Sequence, residues 1–247
     1  MTGKAATKLL PRTEDEGGAP PPSLSEWMAI IGFGLVQWPW LLRSLSGGSG
    51  AERKRLLERL DLPERALPAL GSWKADAALL HHIVDVVERD RPRIAVELGA
   101  GATTLVTARA LQMHGGGQLV SFDQHGDFVG KTRAWLAEYG LDADMRGVAI
   151  ARGRTEWPGY WYVLDDVPDR IDLLTIDGPP WTIHPLVRGG ADSLFDRIGP
   201  GGTVLLDDAA RPGERVIAAR WAKKWPAFDF RLDKGGTKGT LIGTRRR

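Results

Sequence analysis

The chain has 247 residues, 43% of them hydrophobic and 26% charged, a balance that excludes a disordered or collagen-like polypeptide and fits one globular domain with an appendage. Lysine plus arginine number 33 against 31 aspartate plus glutamate, far from the basic excess of a dedicated nucleic-acid binder. There is no cysteine, which removes thiol catalysis, disulfides and thiolate metal sites.

Residues 1–25, with the run Pro20-Pro21-Pro22 and no apolar periodicity, predict a disordered tail. They lack the layout of a signal peptide, so a cytoplasmic location is expected. Residues 26–71 form an extension before the main domain. Within it, Trp27 to Leu42 carries no charge, and as a helix it spans about 24 Å, short of the ~30 Å needed to cross a bilayer. Two roles stand for this stretch: a helix packed on the following domain, which is the preferred reading, or an interfacial anchor whose tryptophans sit at a membrane surface beside Arg43. Ser44 to Gly50 reads as a flexible linker by composition, and Ala51 to Leu60 as a charged helix.

From Ser72 to the C-terminus, short apolar runs alternate with helical periods. Ala75 to Arg89 has one apolar helical face, Ile94 to Leu98 reads as a buried strand, and Thr103 to about His114 as a helix. A strand over Leu119 to Asp123, a helix over Phe128 to Tyr139 and a strand over Met145 to Ala151 follow. Further strands are expected at Ile171 to Asp177 and Thr203 to Asp207, with helical segments near Pro185 to Arg197 and Gly213 to Trp225. Strand and helix in alternation predict a doubly wound α/β fold with a mostly parallel sheet covered on both faces. Phe228 to Leu232 and Thr240 to Thr244 flank Asp233-Lys234-Gly235-Gly236, so the sheet should close with an antiparallel hairpin.

Val96-Glu97-Leu98-Gly99-Ala100-Gly101-Ala102-Thr103-Thr104 sets a Gly-x-Gly turn between a strand and a helix, where backbone N–H groups can meet an anionic group. A dinucleotide fingerprint needs a third glycine at position 104, which is Thr104, so a redox dinucleotide is disfavoured. Glu97 suits a ligand with an ammonium group, and Asp123, ending the next strand, can accept both hydroxyls of a ribose. S-adenosylmethionine combines these demands. The chain resembles the class I S-adenosylmethionine-dependent methyltransferases over residues 72–247, in a branch marked by the turn Asp177-Gly178-Pro179-Pro180. The resemblance implies a Rossmann-like, seven-stranded sheet. It also implies a cofactor site of Glu97, Gly99, Ala100, Gly101, Thr103, Thr104, Asp123 and Gln124.

In such a sheet, ligands bind beyond the carboxyl ends of the strands, which brings Asp177, Asp207 and Asp208 beside the cofactor. Three convergent carboxylates suit Mg²⁺, which could hold an acceptor's hydroxyls and lower their pKa. The arrangement is similar to that of cation-dependent catechol-type O-methyltransferases, which use an Asp after the fourth strand and an Asp-Asn pair after the fifth. This chain departs from them with Asp207-Asp208, and with Pro180 where those enzymes carry a lysine. The alternative for the acids is structural: Asp177 accepting N–H bonds in its turn, and Asp207 or Asp208 pairing with Arg211 or capping the next helix. His184 is the nearest candidate base, with Asp177 as its catalytic neighbour. Adjacent His81 and His82 point to different faces of a helix and do not suggest a shared metal.

Trp157, Tyr160, Trp161, Tyr162 and Trp181 form an aromatic cluster that suits either stacking on a flat ligand or ordinary core. Arg152 and Arg154 suit either an anionic acceptor or a solvated loop. Together these features predict methyl transfer to a small-molecule acceptor, at oxygen, with Mg²⁺ as an optional helper. A non-catalytic domain docking to a membrane or partner through residues 27–42 is the alternative. Nucleic acid is not expected as acceptor, because Asp177-Gly178-Pro179-Pro180 stands where a base-gripping Asn-Pro-Pro-Tyr motif would lie.

Overall fold

The computed structural model describes residues 23–67, 70–71 and 75–247; the tail expected over residues 1–25 therefore lies outside it except for its last three residues. In chain order the elements are α1 (Leu24–Ser44), α2 (Gly50–Arg59), α3 (Ala77–Asp90), β1 (Ile94–Leu98), α4 (Ala102–Met113), β2 (Gln118–Asp123), α5 (Gly126–Ala137) and β3 (Asp144–Gly147). There follow β4 (Ile150–Arg152), β5 (Tyr160–Tyr162), β6 (Ile171–Ile176), a 3-10 segment at Val187–Arg197, β7 (Ile198–Leu206), α6 (Pro212–Lys224), β8 (Phe228–Asp233) and β9 (Thr240–Arg245).

Seven strands form one sheet in the order β3-β2-β1-β6-β7-β9-β8. The neighbours from β3 to β7 are parallel, and β9 runs antiparallel to both β7 and β8, as the closing hairpin predicts. β1 is central, so its side chains bury on both faces in alternation. Ala95 joins the core under α3 and α4, with Leu173 and Leu205 from the neighbouring strands. Val96 and Leu98 join the opposite core with Leu174, Ile176, Val204 and Trp221.

Three expectations change. The single strand over Met145 to Ala151 is two: Val148 N donates to Asp123 O at 2.9 Å as the chain leaves the sheet, and β4 then pairs antiparallel with β5, a strand not foreseen. Ser44 to Gly50 is a built turn and not a free linker. Ser49 caps α2 in a reciprocal capping box with Glu52, Gly47 O accepts from Ala77 N at 3.0 Å, and Gly47 (φ +63°) lies so close to Leu70 and Gly71 that a Cβ would not fit. The helix near Pro185 to Arg197 is of the 3-10 type.

Ser23 and Glu26 form a capping box that starts α1 before the predicted boundary, and Pro39 is accommodated inside the helix. The inner face of α1 is partly polar: Glu26, Gln37 and Ser44 are buried with Ile30. Its outer face exposes Leu24, Met28, Ile31, Leu35 and Val36, with Leu35 at 76%. The helix is pinned at both ends, by Glu26 to Arg152 at 2.5 Å and by Arg43 Nη2 donating to Gly236 O at 3.1 Å, and Gly34 seats it on Trp181. No helix among the described residues is long and apolar enough to cross a membrane.

Candidate active site

The turn after β1 is held from three sides. Gly99 has φ +96°, and a Cβ there would lie 2.7 Å from the Gly178 nitrogen, so both conformation and space require glycine. Glu97 shares the strand face of Ala95, which points at α4, and it is wholly buried. Thr104 Oγ1 and Ser121 Oγ each donate to Glu97 Oε2 at 2.6 Å, and the Gly101 N–H donates to Thr104 Oγ1 at 2.8 Å. Thr103 is buried beside the same carboxyl, whose Oε1 has no partner. Burial pushes Glu97 up to about 7 despite these hydroxyl bonds. A carboxylate facing an ammonium group at the strand end was expected; the structure sets Glu97 beneath the turn, where it braces Thr104 and, through it, Gly101.

Asp123 crosses the same turn from β2. Its Oδ2 accepts the Ala100 N–H at 2.9 Å and its Oδ1 the His125 N–H at 2.7 Å. Burial raises its pKa and the two backbone donors oppose the rise. Each oxygen retains acceptor capacity beyond these bonds. Gln124 Oε1 accepts the Tyr162 hydroxyl at 3.0 Å, and that hydroxyl abuts Gly178 closely enough to exclude a Cβ there.

β6 and β7 end side by side, Ile176 paired with Leu206, so Asp177 meets Asp207 and Asp208 with one ligand atom of each within 4.8 Å of the others. Three cations share this space. Lys238 Nζ lies 3.0 Å from Asp207 Oδ2 and 3.3 Å from Asp208 Oδ1. Arg188 Nη1 donates to Asp208 Oδ2 at 2.8 Å, and its Nη2 lies 3.3 Å from Asp177 Oδ1. Arg211 Nη2 lies 2.9 Å from Asp208 Oδ1, the pairing anticipated as the structural alternative. The anticipated helix cap is not formed, since α6 begins without a side-chain cap. Burial works against ionisation of all three acids. It raises Asp207, and with Asp207 alongside it raises Asp177 well above the usual range, whereas Arg211, Lys238 and Arg188 outweigh it and hold Asp208 low. Asp177 alone keeps appreciable access, with 15% of its side chain exposed against 2% for Asp208.

Residues 96–209, which span β1 through the Asp207-Asp208 pair, match the model of a family described as a methyltransferase domain. Over this stretch, less than half of the chain, the sequence is similar to a methyltransferase domain. Solved structures agree on the fold at low identity. The SAH-bound methyltransferase PaMTH1 of Podospora anserina is 12% identical with a TM-score of 0.54, over 93% of this chain and 100% of that one. A putative O-methyltransferase of Klebsiella pneumoniae is 18% identical with a TM-score of 0.53, over 86% and 100%. The O-methyltransferase of Bacillus cereus in complex with SAH is 13% identical with a TM-score of 0.52, over 88% and 100%. No curated protein matches the chain.

At the same strand ends the remaining predicted residues separate. His184 is buried, and its Nδ1 accepts the Leu186 N–H at 3.1 Å, which leaves the proton of the neutral ring on Nε2. Burial also lowers its pKa. The nitrogen that a general base would use is therefore engaged. Trp157 and Trp161 lie directly on Gly189 and Gly190 as core, whereas the Tyr162 hydroxyl reaches Gln124 and Gly178. Arg152 serves α1, bonding Glu26 and donating to Tyr160 Oη at 2.7 Å, and Arg154 stays exposed. His81 and His82 do face apart, toward Glu52 O and Asp233 Oδ2. Arg188, Lys238 and Tyr162 were not anticipated as site residues; only the aromatic cluster hinted at the last.

Proposed function

We propose that the chain transfers the methyl group of S-adenosylmethionine to an oxygen of a small-molecule acceptor. In this reading Gly99, Ala100, Gly101, Thr103, Thr104, Asp123 and Gln124 form the cofactor site above Glu97, and the acceptor lies toward Asp177 and His184. The observation that carries it is Asp123, fixed by the Ala100 and His125 N–H groups with lone pairs left for ribose hydroxyls. Glu97 supports the turn from below through Thr104, whose hydroxyl accepts the Gly101 N–H. The cofactor supplies an already activated methyl group, so alignment and removal of one proton account for most of what the protein must do.

Asp177 takes the proton in this reading. It is the most accessible of the three clustered acids, its pKa is raised, and Arg188 holds it through both its backbone oxygen at 2.5 Å and its carboxylate at 3.3 Å. His184 acts as a hydrogen-bond donor through Nε2. Oxygen as the acceptor atom is supported by the names of the Klebsiella pneumoniae and Bacillus cereus neighbours.

The donor set does not fit a resident Mg²⁺. Lys238, Arg188 and Arg211 already lie against the oxygens an ion would need, and no step is assigned to a metal. Calorimetry with SAH tests the cofactor site: Asp123→Ala should weaken binding by about 1.5–3 kcal/mol for each charge-assisted bond lost, and unchanged affinity would sink the assignment.

A second reading, peripheral docking of α1 on a lipid surface, is favoured by its exposed Leu24, Met28, Ile31, Leu35 and Val36. If it holds, full-length protein pellets with liposomes, and Ile31→Glu/Leu35→Glu does not.

A further inference from the structure

We infer that Lys238 fills the position a divalent cation would take between Asp177, Asp207 and Asp208, so that this methyl-transfer centre carries a built-in ammonium in place of a metal. The inference rests on the proposed methyl-transfer centre for its meaning and goes beyond it by assigning a residue distant from every recognised motif.

The geometry is that of an ion cluster closed by the chain itself. Lys238 Nζ donates to Asp207 Oδ2 at 3.0 Å and lies 3.3 Å from Asp208 Oδ1 as an ion pair. Mg²⁺ would demand oxygens at about 2.0–2.1 Å in near-octahedral array. Among the described residues, the oxygens of the three acids with no cation against them are Asp207 Oδ1 and Asp177 Oδ2, and an ion bound through them would sit beside an ammonium and two guanidinium groups. Three carboxylates face three positive charges, so the cluster is already neutralised and a divalent ion would meet repulsion from Lys238, Arg188 and Arg211.

Lys238 is not a long side chain that happened to fold inward. Its side chain is 1% exposed, and its backbone is clamped by Asp76, the N-cap of α3. Asp76 Oδ1 accepts the Leu79 N–H at 3.0 Å, while Oδ2 accepts the Thr237 N–H at 2.8 Å and the Lys238 N–H at 3.1 Å. The β8–β9 turn is thereby tied to the start of α3, and the ammonium is aimed at the ends of β6 and β7. Lys238 is a positioning residue: it orients Asp207 and Asp208, while Arg188 bridges Asp208 to Asp177. Without a metal to chelate, the acceptor needs to present one hydroxyl, not a vicinal pair.

Mn²⁺ titration followed by electron paramagnetic resonance tests this on full-length protein. Wild type should show no saturable site, and chelator should leave it unchanged. Lys238→Met should gain one site, at least about tenfold tighter than any wild-type binding, and adding Asp208→Asn should remove it. Saturable wild-type binding that Asp208→Asn abolishes overturns the inference, as does a folded Lys238→Met that gains no site. Circular dichroism monitors folding; if Lys238→Met does not fold, the wild-type titration decides alone. SAH calorimetry on the wild-type samples reports the cofactor reading separately, since its failure would leave the Mn²⁺ result standing.

Discussion

Glu97 and Asp123, at the ends of β1 and β2, are held by hydroxyl and backbone N–H donors, whereas Asp177, Asp207 and Asp208, at the ends of β6 and β7, are held by one ammonium and two guanidinium groups. Neutral donors do not offset burial, which raises both Glu97 and Asp123, but they leave Asp123 with lone pairs open to an incoming ligand. Full cations cancel the charge and fix the geometry, so the second pair is a finished framework. One half of the strand edge keeps acceptor lone pairs open; in the other half cations hold the carboxylates in place.

The sharpest way to break this contrast is to remove a cation. Arg188→Ala leaves Asp177 without its guanidinium and Asp208 with Arg211 and Lys238 alone, and should cost about 3–5 kcal/mol in urea unfolding; a loss below about 1 kcal/mol, the range of surface pairs, would mean the two halves do not differ. The next effect concerns protons. Glu97 is raised from 4.5 to about 7, so its protonated form is the one the fold favours. The associated stability is complete below pH 4.5 and is lost as pH rises through 7, an effect on the order of 3 kcal/mol. Glu97→Gln should flatten the stability curve across that window, and an unflattened curve would place the proton elsewhere. The smallest effect is at α1. Arg152 lowers Glu26 from 4.5 to about 2, so this stability is present above pH 4.5 and lost as pH falls through 2. Because Arg152 is half exposed, Glu26→Gln should cost only about 1 kcal/mol by thermal unfolding at neutral pH.

Much of the strand-helix alternation was legible because apolar runs such as Ile94 to Leu98 and Ile171 to Ile176 are short, unbroken and bounded by turns. The glycine turn and its two acids were legible as a motif, yet the orientation of Glu97 was not read, although the period-2 face it shares with Ala95 contains that information. Lys238 and Arg188 lie 31 and 20 residues from the acids they bind, and no local spacing reports a pairing made by topology. Ser44 to Gly50 misled for a different reason. Glycines chosen for close approach to Gly71 look, by composition, like glycines chosen for freedom.

The contact between Gly99 and Gly178 joins the two halves mechanically. The N–H groups of Asp177 and Gly178 both donate to Leu98 O at 2.8 Å, so the peptide that carries the acid after β6 hangs from the carbonyl just ahead of the glycine turn. With no side chain on either glycine to act as a cushion, a shift in one loop is passed to the other like a push through a rigid coupling. Under the proposed function, a ligand seated on the glycine turn would bear directly on the loop that carries Asp177, so occupancy of one strand end would be felt at the other.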